Sequence, residues 1–505
     1  MSTRQQNLTI VVIASAPLFN WINHPTTLIG IGGAEVYGHG WNWWWRTQRW
    51  PILEQGTHAA VGVESFPAID LLPLMTLGWI ARWFSPVAAH NIWVVLCCAL
   101  AAYGGKKLAD SVNGNPLFGA MAVAWSAPFL GSISSGLTED MALGLSALAL
   151  AAARRNLVVA AGWTVATAAS GLVLGWLTGA LLLGYGMLHA HPWKQRLNAA
   201  GVLAAGSGPL LWLHWNRLTG GGHRSGEHVL GNEPFWSINP WKQADAASFF
   251  LTQDLELTSL MVRAHPGYLS WVVLLLVMLA GRKHWKLIAL GLGFIGLALG
   301  ANLRFLGQDT GAPNPIWMLW QVLPGAELLN HHARVIPVAL LPLVAVAAQR
   351  VATLRIAQQP FLLLLLGCEL CLLSPMGIFL PTTSSHQSSL LQSHQPTQGR
   401  WLHLPMSGPG RSFQLPLWLQ TQHQQPLWLW PNRPGYPPTA PKNETIEWLL
   451  RPDTASVPST PCMPSDITGI FAEAQLKSTY SPVLGPPQQE DQSWLIWSKV
   501  EHCRP

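Results

Sequence analysis

The stretch GGAEVYGHGWNWWWRTQRW, residues 32–50, sets one carboxylate, Glu35, beside His39, the cations Arg46 and Arg49, and five of the chain's 28 tryptophans. A carboxylate so placed can serve as a general base where a hydroxyl must lose its proton. Further on, SSGLTEDMALGL presents Glu139 and Asp140 just before an apolar run. Thr138 is positioned to cap the helix expected there, and acids in a first turn suit the helix dipole. In NPIWMLWQVLPGAELLNHHARVIP, 314–337, the residues His331, His332 and Arg334 precede another apolar run. A guanidinium offers a forked, charge-assisted grip on a phosphate. Its plainer roles are a pair with Glu327 or an interfacial cation. Trp41 through Trp45 form an aromatic slab that either floors a site or lies at a bilayer surface, where tryptophan accumulates.

Other chemistries lack their signatures. His223, His228, His265, His331 and His332 have no metal-ligand spacing, so no motif marks a metal site and a divalent cation stays unassigned. There is no phosphate-binding glycine loop, no nucleophile elbow and no dinucleotide fingerprint.

The elements that must position these residues are membrane helices. Half of the 505 residues are hydrophobic, only 10% are charged, and the mean hydropathy is +0.25. That charge content is far below the usual quarter. Apolar runs place spans near 8–21, 87–104, 115–133, 138–153, 157–171, 172–189, 197–214, 267–281, 285–301, 335–349 and 360–376, an all-α polytopic transmembrane bundle of about 11 helices. Glycine (46) and proline (39) are both tolerated in such helices, and glycine lets them approach closely.

Charge then orients the bundle. The short connections 1–7, 104–114, 154–156, 190–196, 282–286 and 350–359 contain twelve Lys or Arg against one acid, Asp110. Positive charge resists translocation, which puts these connections and the N-terminus in the cytoplasm of a multi-pass cytoplasmic (inner) membrane protein. The long loops 22–86, 216–266 and 302–334 then lie outside with most of the acids. The net charge of +6 is accordingly a topology signal, and no nucleic-acid partner is expected. The transmembrane domain is expected over 1–377, a polar linker over 378–399, and a small extracytoplasmic α+β domain over 400–505. In that compartment Cys462 and Cys503 either bridge or stay as two thiols. Glu369 lies midway along the last apolar run, where it needs a basic or histidine partner or else serves transport.

Several of these passages are similar to bacterial GT-C-type membrane glycosyltransferases, near uncharacterised mannosyltransferase and YfhO-like relatives. The likeness runs through HGWNWWWRTQRW and ESFPAIDLLPLMTLGW after the first helix, through WTVATAASGLVLGWLTGALL, and most strongly through PNPIWMLWQVLPGAELLNHHARVIPVALLPLVAVAA. The tail GRWLHLP, a strand ending in Leu-Pro, and LWLQTQHQQPLWLWP extend it. The resemblance implies a GT-C-like fold that transfers a sugar from a polyprenyl-phosphate donor to an acceptor on the outer membrane face. It makes Glu35 the general base, where relatives have an aspartate, and Glu139 a second polar contributor. Arg334 becomes the phosphate anchor, and His39, Trp41, Trp44, His331 and His332 contact substrate. Membrane lipid and a lipid-linked sugar are the implied partners. Two other readings compete: a non-catalytic scaffold whose 400–505 region binds an envelope protein, and a transporter built on Glu369.

Overall fold

The structure, a computed structural model, describes residues 3–32, 36–48, 71–213, 244–250, 266–300, 302–316, 332–386, 388–393, 399–404, 415–423, 427, 443–450, 458, 461–465, 467–498, 500 and 502–503. It divides into two compact units. One comprises Met1–Ile31, Ile69–Leu77 and His90–Thr382; the other comprises Gly32–Ala68, Gly78–Ala89 and Thr383–Pro505.

The first unit is helical, and each apolar run of the sequence has its helix. They are Thr3–Ser15 with Phe19–Asn23, Pro86–Ser111, Pro116–Ala124 with Ala127–Ser134, Leu143–Ala153, Leu157–Ser170, Leu172–Leu188, Trp193–Leu213, Trp271–Leu279, Trp285–Ala298, Ile336–Ala352 and Gln358–Leu372. Three stretches, Pro86–Ser111, Pro116–Ser134 and His332–Ala352, are long and apolar enough to cross a membrane. Local chemistry sets the boundaries. Asn115 accepts from the N–H groups of Leu117 and Phe118 ahead of Pro116, and Asn156 accepts from Val158 and Val159. Both are side-chain caps on donors that a helix start leaves unpaired. The run 157–189 is two helices because Gly171 is fully extended between them.

Small residues let these helices touch. A Cβ on Gly105 would strike the Gly119 carbonyl, and one on Gly144 would strike the backbone of Leu100. Where lipid removes the hydrophobic driving force between helices, such close approach supplies the packing energy.

The basic connections converge. Arg154 Nη1 donates to the Ser111 carbonyl at 2.5 Å, the Asn115 amide donates to Gln359 Oε1 at 3.1 Å, and the Asn115 N–H donates to the Ala348 carbonyl at 2.8 Å. The stretches around 104–115, 154–156 and 348–359 are therefore tied together at one end of the bundle.

The second unit is built on a four-stranded sheet ordered Arg400–Leu404, Ile467–Glu473, Trp494–Trp497, Gln489–Glu490, with the first pair parallel and the other two antiparallel. Residues alternate between faces with the period of a strand. Leu402, Leu404, Ile470, Leu495 and Trp497 enter one buried cluster, while Trp401, Phe471, Trp494 and Ile496 enter another. Cys462 and Cys503 are bonded to each other.

The stretch Gly32–Ala68 belongs to this unit. Its helix Val36–Gln48 crosses Leu415–His423 where Gly40 meets Trp418; an added Cβ would come within 2.9 Å of the indole. Trp41 and Trp44 lie in the same buried cluster as Leu402, Leu417 and Ile446, and Trp41 donates its indole N–H to Gln420 Oε1 at 2.8 Å. The stretch expected as a linker is docked in part. Trp418 Nε1 donates to the Ser385 carbonyl, Gln422 donates to that of His386, and the Tyr37 hydroxyl reaches Thr383 and Ser384.

Two expectations follow. A tail of residues 383–505 expressed alone exposes the Trp418 face and is rapidly proteolysed, whereas the same tail fused to residues 36–48 resists protease; equal resistance of the two would contradict this packing. His403, 2% exposed and stacked near Phe471 at 4.9 Å, has its imidazole pushed by burial from the ordinary range down to about 3. The unfolded chain takes up that proton near the ordinary value of about 6.5 and the folded one does not. This contribution to stability is thus complete above about pH 6.5 and declines as pH falls from there towards 3. Thermal midpoints across that range should fall for the parent and much less for His403→Gln.

Candidate functional site

Three carboxylates of the helical unit are embedded in its apolar interior, and their partners sort them. Glu369 sits in the last turn of Gln358–Leu372, not midway along it. Its oxygens accept from the Tyr268 hydroxyl at 2.5 Å, the Ser270 hydroxyl at 2.8 Å, and the N–H groups of Trp271 and Val272. It thereby closes the N-terminus of Trp271–Leu279, where backbone donors and the helix dipole favour an anion. Among the described residues no basic or histidine partner reaches it, and four donors on its two oxygens fasten Gln358–Leu372 to the start of Trp271–Leu279.

Asp245 is similar. It accepts from Ala247 N–H at 2.8 Å, Leu306 N–H at 3.1 Å and Gly307 N–H at 2.6 Å, fastening the turn between the strands Asn302–Phe305 and Gln308–Pro313. Leu306 and Gly307 both have positive φ, so the tight hairpin turn directs its N–H groups at one carboxylate.

Asp140 differs, because its partner is a cation. A 3-10 turn, Thr138–Asp140, precedes Leu143–Ala153, and a second one, His332–Val335, precedes Ile336–Ala352. Arg334 Nε and Asp140 Oδ2 are 3.4 Å apart, with side chains 12% and 4% exposed. Thr138 lies inside its turn and Leu143–Ala153 has no side-chain cap, so the expected capping role gives way to this ion pair. Nearby in sequence, Ser132, Ser134, Ser135, Thr138 and His332 are buried polar residues. The Ile31 N–H donates to the Ser134 carbonyl at 2.7 Å, tying the end of the first helical segment to this turn. A guanidinium stays charged at any relevant pH, so the pair holds opposite charges in an apolar setting. Removing one partner there costs about 3–5 kcal/mol, since the other charge is left uncompensated.

The remaining candidates are placed as follows. Glu139 belongs to the same turn as Asp140. His39, Trp41 and Trp44 are buried within the second unit, 5%, 6% and 9% exposed, and both indoles belong to its apolar cluster. Glu35, Glu327 and His331 lie outside the described residues, as do His223, His228 and His265. Among the described residues no group of three or more His, Cys, Asp or Glu is placed to hold a metal. Residue by residue, the sequence missed the Asp140–Arg334 pairing. Its signal was there: two opposite charges, each just ahead of a long apolar run whose far end is basic.

No family model matches the chain, and no curated protein does either. Among solved structures, two cryo-EM classes of one mutant of the arabinofuranosyltransferase AftD from mycobacteria are similar, with a TM-score of 0.47 and 14% identity. The alignments cover 94% of this chain and 37% and 36% of those chains, so the chain spans little more than a third of their length.

The ion pair carries its own expectation. Asp140→Asn should lower the stability of the reconstituted protein by about 3 kcal/mol, whereas neutralising the exposed Asp309 should change it by less than about 0.5 kcal/mol. Thermal unfolding followed by loss of monodisperse protein measures both.

Proposed function

We propose that the chain is a polytopic membrane glycosyltransferase that moves a sugar from a polyprenyl-phosphate donor to an acceptor on the extracytoplasmic face. The observation that carries this reading is the buried Asp140–Arg334 pair at the mouths of two apolar helices, in a bundle whose other buried carboxylates, Glu369 and Asp245, are saturated by hydrogen bonds. Charge held in an apolar bundle marks a functional site by default. Arg334 is the cation for the donor phosphate, and Asp140 keeps that guanidinium oriented until substrate arrives.

In the reaction the acceptor oxygen attacks the anomeric carbon, the bond from that carbon to the phosphate oxygen breaks, and the lipid phosphate departs with the electron pair. Glu35 takes the acceptor's proton, and Glu139 and the histidines His331 and His332 supply further polar contacts. Trp41 and Trp44 anchor the helix Val36–Gln48 in the second unit. The Cys462–Cys503 bond supports an extracytoplasmic tail, because disulfides persist in oxidising compartments. Such a fold with eleven crossings puts the tail and the long loops on the same side.

A rigid, disulfide-closed tail would also serve a non-catalytic scaffold that binds an envelope protein, and activity separates the two. Glu35→Gln should lower sugar transfer from lipid-linked donor by about 10²–10⁴-fold in isolated membranes while the protein level is unchanged. Arg334→Gln should raise the donor KM. Glycan profiles identical to the parent's in both variants would favour the scaffold.

A further inference from the structure

Away from Asp140, the opposite end of the helical unit gathers cations without an answering anion. Leu143–Ala153 and Leu172–Leu188 finish there, and Trp285–Ala298 begins. The last two helices touch one turn from these ends, where a Cβ on Gly184 would come within 2.7 Å of Leu290. His189, just past the end of Leu172–Leu188, stacks on the buried Tyr185 ring at 4.0 Å and 15°, with Nδ1 3.0 Å from the Tyr185 carbonyl. Arg154, Lys286 and His191 lie near enough to act on His189, and Lys283 and Arg154 on His284. Burial holds both imidazoles below their ordinary range; at His189 the Tyr185 carbonyl opposes this, and the neighbouring cations push both the same way.

No described carboxylate balances this corner. Asp110, the one acid of the neighbouring connections, is bridged to Lys106 at 2.9 Å. Arg154 donates to a carbonyl, which leaves its charge in place. Two exposed tryptophans flank the corner: Trp193 is 69% and Trp285 55% exposed, and the Lys194 ammonium lies 6.0 Å from the Trp193 ring. Exposed indoles beside lysines mark headgroup depth in a membrane protein.

We propose that this corner, framed by Arg154, His189, His284 and Lys286, binds the phosphate of an anionic phospholipid headgroup. The packed helix ends bring these residues to one corner, no described carboxylate competes there, and the aromatic flank sets the depth at which such a phosphate lies. Juxtamembrane basic residues each strengthen the attraction of an anionic lipid, and a corner between helices adds geometry to that charge.

Native mass spectrometry of the full-length protein in detergent, supplied with phosphatidylglycerol or phosphatidylcholine, tests it. Phosphatidylglycerol should be retained under conditions that strip phosphatidylcholine. The double variant Arg154→Gln/Lys286→Gln should weaken that retention about thirtyfold. Arg154→Lys/Lys286→Arg, which keeps the charge, should retain the lipid, as should Lys106→Gln/Lys107→Gln, which removes as much charge elsewhere at this end. Equal retention of phosphatidylcholine overturns the proposal. So does loss in the charge-conserving pair, equal loss in the Lys106/Lys107 pair, or displacement of the lipid by inorganic phosphate at matched concentration.

Discussion

A charge inside an apolar helical bundle has to be answered by a partner, and this constraint organises the helical unit. Water is not there to solvate a carboxylate, and an unanswered one costs several kcal/mol. Glu369 is met by a helix N-terminus and two hydroxyls, and Asp245 by three backbone N–H groups. Each fastens one element to another, which is why carboxylates persist at positions where an aliphatic residue would seem cheaper. Asp140 alone of the three is answered by a guanidinium. A fixed cation can exchange its carboxylate for a substrate anion without unravelling a helix end. That difference separates a structural acid from one with chemical potential.

The tail unit meets a different constraint. A sheet with two apolar faces must be covered on both, and the segment 383–505 does not do this alone. The helix Val36–Gln48 supplies Trp41 and Trp44 to one face, with Gly40 letting the helix approach the Trp418 ring. The tail's buried cluster thus draws on a helix more than 300 residues away in sequence.

Much of this was legible in the sequence because hydrocarbon is a severe selector. Every apolar run of about 15 residues corresponds to a helix, and the connections around 111, 154 and 359 meet at one end. The strand before Leu404-Pro405 is also where the tail pattern places it. What escaped were relations between distant residues. Period and composition say nothing of which tryptophan meets which glutamine, so Trp41 read as a surface or site residue and is a core residue. Local rules suggested a Thr138 cap, but the long-range attraction of Arg334 for Asp140 prevailed. Glu369 was visible as an intramembrane acid; its donors, three of them within residues 268–271, are nearly 100 positions away in sequence and carry no charge to reveal them.

The proposed sugar transfer requires the basic connections to face the cytoplasm, and the 302–334 loop and the tail to face the extracytoplasmic side. Labelling with a membrane-impermeant thiol reagent tests it most directly, using single cysteines at positions 155, 309 and 478 in sealed vesicles of known orientation. The account predicts reaction at 309 and 478 from the extracytoplasmic side, and protection of 155 until the vesicles are opened. Reaction of 155 and 309 from the same side, or of 309 and 478 from opposite sides, would contradict it.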